Sequence, residues 1–152
     1  DPLLPTFYAI LGVSYYLMLP VFEKLIGNIA AASRADGKIV FDYPDETTFR
    51  KNGPERVSRL TQITASLGEP MAQGIAFAEL QHVLERHGLF IDAHLTPGKI
   101  QEDFFDKRTD AQNAFENVHF VLAAKKENRT RNPLIFASEA VSTTPRPFPV
   151  LL

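Results

Sequence analysis

The sequence predicts an α/β domain built on a four-stranded sheet, and three observations lead to this fold class. Short apolar runs rich in β-branched and aromatic residues recur along the chain. Segments with apolar residues at helical spacing lie between them. Single glycines and prolines stand at the boundaries of these segments. Because strand, helix and strand in succession build parallel sheets, we expect a mostly parallel sheet with helices on both faces.

The first strand–helix–strand unit lies in the amino-terminal third of the chain. Residues 6–13, TFYAILGV, show no polar alternation, which is typical of a strand covered on both faces. A helix follows, with Pro20 in its first turn. Residues 38–43, KIVFDY, predict the second strand.

Two further strands are predicted at residues 89–95 and 117–124, the last of them antiparallel to the others. Before them, one helix ends near Gly68 and the next near Gly88, both suited to a helix carboxyl terminus. A short helix begins at Thr96, as amino-terminal cap, and Pro97. The apolar periodicity predicts a core that includes Ile10, Val13, Phe22, Leu25, Ile29, Ile39, Phe41, Leu60, Leu80, Leu84, Phe90 and Phe120.

The composition predicts one globular domain and excludes several functional classes. The chain has 152 residues, of which 45% are hydrophobic and 22% are charged. A net charge of −2 gives no basic surface for nucleic acid or an anionic membrane. No apolar run approaches the ~20 residues of a membrane helix. The absence of cysteine excludes disulfides, thiolate metal sites and cysteine nucleophiles, and it suits a cytoplasmic location.

Two parts of the chain differ in character. Residues 1–126 hold all the predicted elements and form the α/β domain. Residues 127–152 have no sustained period and three prolines in their last eight positions, so we expect an irregular tail. The chain opens with Asp1 in place of methionine, which favours processing or a fragment.

Candidate functional residues follow the carboxyl ends of the first two strands, where open α/β sheets bind their ligands. After the first strand, Gly12 permits close approach of the backbone, and Tyr15 and Tyr16 carry hydroxyls that need partners if buried. After the second come Asp42, Tyr43 and Asp45. For Tyr15 and Tyr16, the alternative to ligand binding is simple packing at the edge of the core. For the residues after the second strand, the alternative is a capped strand end with solvated carboxylates.

The histidines predict no metal site, because no two have the spacing of metal ligands. His82 and His87 are interpreted as solvated helix residues. No nucleophile elbow, Walker loop or dinucleotide-binding glycine turn occurs in the sequence.

The ordered set FYAILGVSYYL, GKIVFDYPD, RVSRLTQITASLGEP, AELQHVLERHGLF, LTPGKIQEDFF and HFVLAAKK resembles the carboxyl-terminal half of the leucine carboxyl methyltransferase-like family. Members of that family are S-adenosylmethionine-dependent methyltransferases with the class I Rossmann-like fold. The resemblance covers roughly residues 5–126. It implies that the chain holds strands four to seven of a seven-stranded sheet, in the spatial order 4-5-7-6.

The resemblance also implies an O-methyltransferase that uses S-adenosyl-L-methionine and acts on a small-molecule or carboxylate acceptor. It places Leu11 and Gly12 at the cofactor, and Tyr15, Tyr16, Tyr43 and Asp45 at the acceptor. Asp42, Asp45 and His94 are the candidates for accepting a proton.

The sequence departs from the family pattern in ways that bear on cofactor binding. It has no glycine-rich turn for the methionine part of the cofactor and no acidic residue placed for the ribose. Leu11 stands where many relatives have an acidic residue, and AFAEL, residues 76–80, lacks the usual capping residue and proline. We therefore expect this chain by itself to bind S-adenosylmethionine weakly or not at all.

Two alternatives to a methyltransferase stay open. The first is a non-catalytic α/β domain that pairs its first strand with a second copy or with a complementing amino-terminal half. The second is a degenerate gene product without a selected function. Residues 6–13 contain no charge to discourage such pairing, so we expect self-association, or coverage of this edge by residues 133–136 or 148–152.

Overall fold

The computed structural model describes residues 6–33, 36–51 and 53–125, which form one four-stranded sheet with flanking helices. The strands are β1 (Phe7–Ile10), β2 (Lys38–Pro44), β3 (Leu89–Leu95) and β4 (Val118–Lys125). The helices are α1 (Leu19–Ala32), α2 (Glu55–Ser66), α3 (Phe77–Arg86) and α4 (Pro97–Ile100). Single helical turns occupy Ser14–Tyr16, Glu46–Phe49 and Gln101–Phe105, the last continuing α4.

The strands are arranged in the order β1-β2-β4-β3, the order that the family resemblance implies. β1 pairs in parallel with β2, whereas β4 pairs antiparallel with both β2 and β3. Strands β1, β2 and β3 therefore share one direction, and the prediction that the last strand opposes them is confirmed. By its pairings the sheet is mixed, not mostly parallel, because β4 inserts between β2 and β3.

β1 is shorter than predicted, and the reason lies in Gly12. The strand was expected to reach Val13, but it ends at Ile10. Gly12 has a φ of 70°, a left-handed conformation that takes the backbone out of the strand. Val13 consequently lies exposed instead of in the core.

The main core lies on one side of the sheet, here called the helix-covered face. It is formed by Ile39, Phe41 and Tyr43 of β2 beneath α1 and α3. Phe22 of α1 and Phe41 meet edge to face, with ring centroids 5.4 Å apart. Among the predicted core residues, five are fully buried: Phe22, Ile39, Phe41, Leu80 and Leu84.

The opposite side, here called the cavity face, carries Val40, Asp42 and Phe120. α4 and the turn after it lie over this side of the sheet. Phe90 also points away from the core, because Leu89 and Ile91 on either side of it face the helices. It is exposed, which corrects its predicted place in the core.

The helix ends largely follow the sequence signals. Thr96 accepts a hydrogen bond from the backbone N–H of Lys99, which confirms the predicted cap of α4. Gly68, with a φ of 82°, follows the last turn of α2 as expected. The apolar stripe of α2 is only partly covered, since Val57 is buried while Ile63 and Leu67 are exposed.

Some predictions fall beyond the part of the chain that the structure describes. They concern the tail at 127–152 and its coverage of β1 by residues 133–136 or 148–152. Within the described ranges, none of the helices combines the length and the apolar character needed to cross a membrane.

Candidate functional site

The candidate site lies at the edge of the sheet where β1, β2 and β3 end and β4 begins. Residues leaving these strands meet there, as the parallel direction of β1 and β2 predicts. Two groups of side chains stand out at this edge. One surrounds Asp42, and the other is a stack of aromatic and histidine rings.

The first group, here called the Asp42 junction, consists of Gly12, Ser14, Tyr15 and Asp42. The buried carboxylate of Asp42 accepts a hydrogen bond from the Gly12 N–H at 2.8 Å and from the Tyr15 hydroxyl at 3.0 Å. The Ser14 hydroxyl donates to the backbone carbonyl of Asp42 at 2.7 Å. A single residue of β2 therefore fixes the turn that follows β1.

The environment keeps the Tyr15 hydroxyl protonated. Burial raises its pKa well above the ordinary value, and the negative charge of Asp42 raises it further. Tyr15 is consequently a hydrogen-bond donor to Asp42 and not an anionic base. Asp42, a proton-acceptor candidate from the sequence, already accepts two hydrogen bonds.

The remaining residues of this turn face solvent. Leu11 is 55% exposed and Tyr16 is 43% exposed. A Cβ atom added to Gly12 would have no heavy atom within 4 Å, so its backbone borders open space. The turn is thus open at the Cα of Gly12, whose N–H is bonded to Asp42, and the Leu11 and Tyr16 side chains are largely exposed.

The second group, here called the ring stack, lies on the helix-covered face and contains Tyr43, Phe77, His94 and His119. His119 stacks on Tyr43 with centroids 5.0 Å apart, and His94 stacks on Phe77 at 4.5 Å. The two histidine rings are nearly parallel, with centroids 5.1 Å apart. The sequence gives no sign that these two histidines meet, since 25 positions separate them. The missing signal is the strand register, which puts His119 opposite Tyr43 and His94 opposite Val121.

Hydrogen bonds connect the stack into a chain of titratable groups. His119 Nε2 lies 3.2 Å from Asp45 Oδ2, and His119 Nδ1 lies 2.9 Å from His94 Nε2. The Tyr43 hydroxyl lies 3.3 Å from the same His94 nitrogen. Burial, followed by the neighbouring His119, lowers the pKa of His94. Asp45 orients His119, and the burial of His94 favours its neutral form.

Asp45 and Tyr43, both predicted to contact the acceptor, differ in how deeply they are buried. Asp45 is partly buried and also accepts the backbone N–H of Thr47 at 2.8 Å. Tyr43 is fully buried, and burial raises the pKa of its hydroxyl. A direct contact between Tyr43 and a ligand would therefore require the stack to open. Within the described residues, no three histidine or carboxylate side chains are grouped to hold a metal ion.

The loop of residues 68–76 crosses the ends of β1 and β2 and holds the two groups together. The N–H of Ala72 donates to the Tyr15 carbonyl at 2.7 Å, and the N–H of Ile75 donates to the Pro44 carbonyl at 2.8 Å. Gly74 approaches the backbone so closely that an added Cβ would lie 2.0 Å from the Asp45 carbonyl oxygen. The loop is thus tied to the edge by backbone contacts.

Comparisons with known proteins relate this arrangement to methyltransferases. No family model matches the chain. Over 134 residues it is 40% identical to a Bacillus subtilis (strain 168) protein named "Putative S-adenosyl-L-methionine-dependent methyltransferase YktD". The match covers 83% of this chain but 44% of YktD, so the chain spans less than half the length of this homologue.

Solved structures show the same fold at low sequence identity. A DUF574 family protein from Streptomyces avermitilis MA-4680 superposes with a TM-score of 0.60 and 12% identity, covering 82% of this chain and 46% of that one. The mitomycin 7-O-methyltransferase MmcR superposes with a TM-score of 0.51 and 14% identity, covering 80% and 31%. The chain therefore has an α/β fold that matches class I methyltransferases.

Proposed function

We propose that this chain forms the carboxyl-terminal part of an S-adenosyl-L-methionine-dependent O-methyltransferase of the leucine carboxyl methyltransferase-like type. Three findings support the proposal: the 40% identity to YktD, the 44% share of YktD that is matched, and the β1-β2-β4-β3 strand order. The acceptor is an oxygen of a small molecule or a carboxylate. The other part of the enzyme supplies most of the cofactor contacts.

The Asp42 junction is the observation that carries this proposal. It fixes the turn after β1 at the edge where open α/β sheets bind ligands, with open space at the Cα of Gly12 and with Leu11 exposed. The described residues include neither a glycine-rich turn of the cofactor-binding kind nor an acid placed for a ribose. They therefore fit one side of the cofactor, with Leu11 and Gly12 against it.

For methyl transfer the protein mainly has to align the acceptor with the methyl group, because the sulfonium cofactor supplies that group already activated. In this proposal Leu11 and Gly12 would lie against the cofactor, and the residues that follow β1 would orient the acceptor oxygen toward it. Tyr15, held by Asp42, and the exposed Tyr16 border the acceptor in this arrangement.

His94 lies too far from β1 to act on the reacting oxygen. It is on β3, three strands from β1, which is roughly 14 Å at about 4.8 Å per strand. Its ring also lies on the helix-covered face, opposite the face that carries Asp42. We therefore do not assign His94 as the proton acceptor, whereas Asp45, which follows β2, stays a proposed contact of the acceptor.

The proposal is tested in a chimera in which residues 6–125 replace the matching segment of YktD. Calorimetric titration with S-adenosylmethionine should give a dissociation constant within tenfold of that of YktD. Gly12→Ala should weaken binding at least fivefold, because alanine strains the left-handed backbone beside the cofactor. Gly68→Ala, at a left-handed glycine after α2, is the matched control.

The same chimera can also contradict the proposed function. If it folds with the helical content of YktD but shows no heat of binding while YktD does, the proposal fails. Equal weakening by Gly12→Ala and Gly68→Ala would remove the assigned role of Gly12.

A second candidate function, association without catalysis, is favoured by the position of β1. β1 lies at the margin of the sheet and pairs only with β2 among the described residues. Phe7 is 58% exposed, and no charged residue interrupts the strand. An open apolar edge of this kind fits a second copy of the chain or a complementing amino-terminal half.

Sedimentation velocity tests the association. We expect the isolated chain to form dimers, and Ile10→Lys to weaken them along with stability, since Ile10 packs against the core. Ala9→Lys changes an exposed residue of the same strand and should weaken dimers without that loss of stability. A monomeric wild-type chain at high micromolar concentration would exclude self-association.

A further inference from the structure

The cavity face contains a cavity of about 710 Å³ between the sheet and α4. Its floor is formed by Val40, Asp42 and Phe120, and α4 with its following turn forms one wall. Residues 112–115 form the other wall. The volume lies within the roughly 300–1,000 Å³ of small-molecule sites.

The wall formed by residues 112–115 is held in place by Arg56 and by Gln101. The Arg56 guanidinium donates to the carbonyls of Asn113, at 3.1 Å, and Ala114, and it lies 4.3 Å from the ring centre of Phe115. Gln101 accepts the N–H of Ala114 at 2.9 Å. The cavity is therefore bounded by a fixed loop, which favours a preformed site.

The lining has a specific chemistry. It is mainly apolar and includes four phenylalanines, Phe104, Phe105, Phe115 and Phe120. Among the described residues that line the cavity, the charged group is the Asp42 carboxylate, and none is a lysine, an arginine or a histidine. An anionic ligand would lack a counter-charge and face Asp42, whereas a neutral aromatic molecule would bury its rings among the phenylalanines.

We infer that this cavity binds an uncharged, planar aromatic compound of two or three rings that carries a hydroxyl group. The inference rests on the proposed function and narrows it, since it selects a neutral aromatic acceptor over a carboxylate. Asp42 and Tyr15 belong both to the cavity lining and to the Asp42 junction. In this proposal the hydroxyl of the bound compound donates to the Asp42 carboxylate, which also accepts the N–H of Gly12, where the proposed cofactor side begins.

Binding of 2-naphthol to the isolated 152-residue chain, followed by calorimetry, tests the inference. We expect saturable binding, and binding of 2-naphthoate at least tenfold weaker because of its charge. Phe104→Ala should weaken 2-naphthol binding at least fivefold. Phe49→Ala is the matched control, since Phe104 and Phe49 are 54% and 51% exposed and Phe49 does not line the cavity.

Three results would overturn the inference: no binding of 2-naphthol by the folded chain, equal binding of naphthoate, or equal effects of the two alanine variants. Repeating the titration with the YktD chimera identifies the competing occupant. If 2-naphthol binds the isolated chain but not the chimera, a YktD segment fills the cavity and the acceptor inference is wrong. Loss of S-adenosylmethionine binding in the chimera, by contrast, would refute the proposed function and leave 2-naphthol binding intact.

Discussion

The two faces of the sheet differ in how completely they are covered. On the helix-covered face, Ile39, Phe41 and Tyr43 are fully buried beneath α1 and α3. On the cavity face, Phe7 and Phe104 are exposed and an apolar cavity stays open. The same strands build both faces, so the difference comes from what lies over them.

This contrast indicates which face of the sheet contributes mainly to stability and which contributes mainly to binding. The helix-covered face satisfies the packing demands of a hydrophobic core, and packing alone explains its fully buried residues Ile39 and Phe41. The cavity face exposes apolar area that folding of the described residues does not bury, which marks an interaction surface. Changes on the first face should therefore affect the free energy of unfolding, and changes on the second should affect binding.

The largest expected effect comes from emptying the helix-covered core. Phe22→Ala should lower the free energy of unfolding by about 3–5 kcal/mol, because it removes a fully buried ring that contacts Phe41. Phe104→Ala on the cavity face should change it by about 0.5 kcal/mol or less. Urea unfolding of both variants measures the contrast, and equal losses would contradict it.

A substitution at Gly74 tests how firmly the loop of residues 68–76 is held at the edge of the sheet where β1 and β2 end. Gly74→Ala should cost about 3 kcal/mol, since the new methyl group would overlap the Asp45 carbonyl and displace the backbone. Gly98→Ala is the control, because a Cβ there meets no atom within 4 Å. The measurement is again urea unfolding, and a neutral Gly74→Ala variant would show that loop 68–76 is not held against the edge.

The Asp42 junction should give a smaller loss. Tyr15→Phe removes the hydroxyl that donates to the buried Asp42 carboxylate, at a cost of about 1.5 kcal/mol. Tyr16→Phe changes the adjacent exposed tyrosine and should be neutral. If thermal unfolding shows the two variants to be equally stable, Tyr15 does not support the junction.

The ring stack adds a pH dependence to the helix-covered face. The pKa of His94 is lowered from about 6.5 in the folded chain, so the unfolded chain binds more protons between the lowered value and 6.5. The free energy of unfolding should therefore fall as the pH drops from 7.5 through this window, and the loss is complete below the folded pKa.

His94→Gln isolates this contribution. It removes the titrating ring and keeps a side chain able to donate to His119, so the pH-dependent fall should become shallower. His82→Gln, at an exposed histidine of α3, controls for the loss of a histidine elsewhere. Urea unfolding at several pH values makes the comparison, and an unchanged slope in His94→Gln would exclude His94 as its source.

The sequence predicts the helix-covered face well, because periodicity and capping report burial directly. β3 was predicted at its observed bounds, β2 and β4 within one residue, and Thr96 caps α4 as expected. The cavity face and the ring stack depend on contacts between distant segments. Nothing local in the chain indicates that Asp42 binds Gly12, or that His94 meets His119, until the strand register is known.

Titration of the isolated 152-residue chain with S-adenosylmethionine tests the proposed division of the cofactor site. In that proposal this chain supplies one side of the cofactor crevice, at Leu11 and Gly12, and most cofactor contacts come from elsewhere. We therefore predict weak binding or none, with a dissociation constant no tighter than the high micromolar range. A dissociation constant in the low micromolar range would contradict it, because the described residues would then hold the cofactor by themselves.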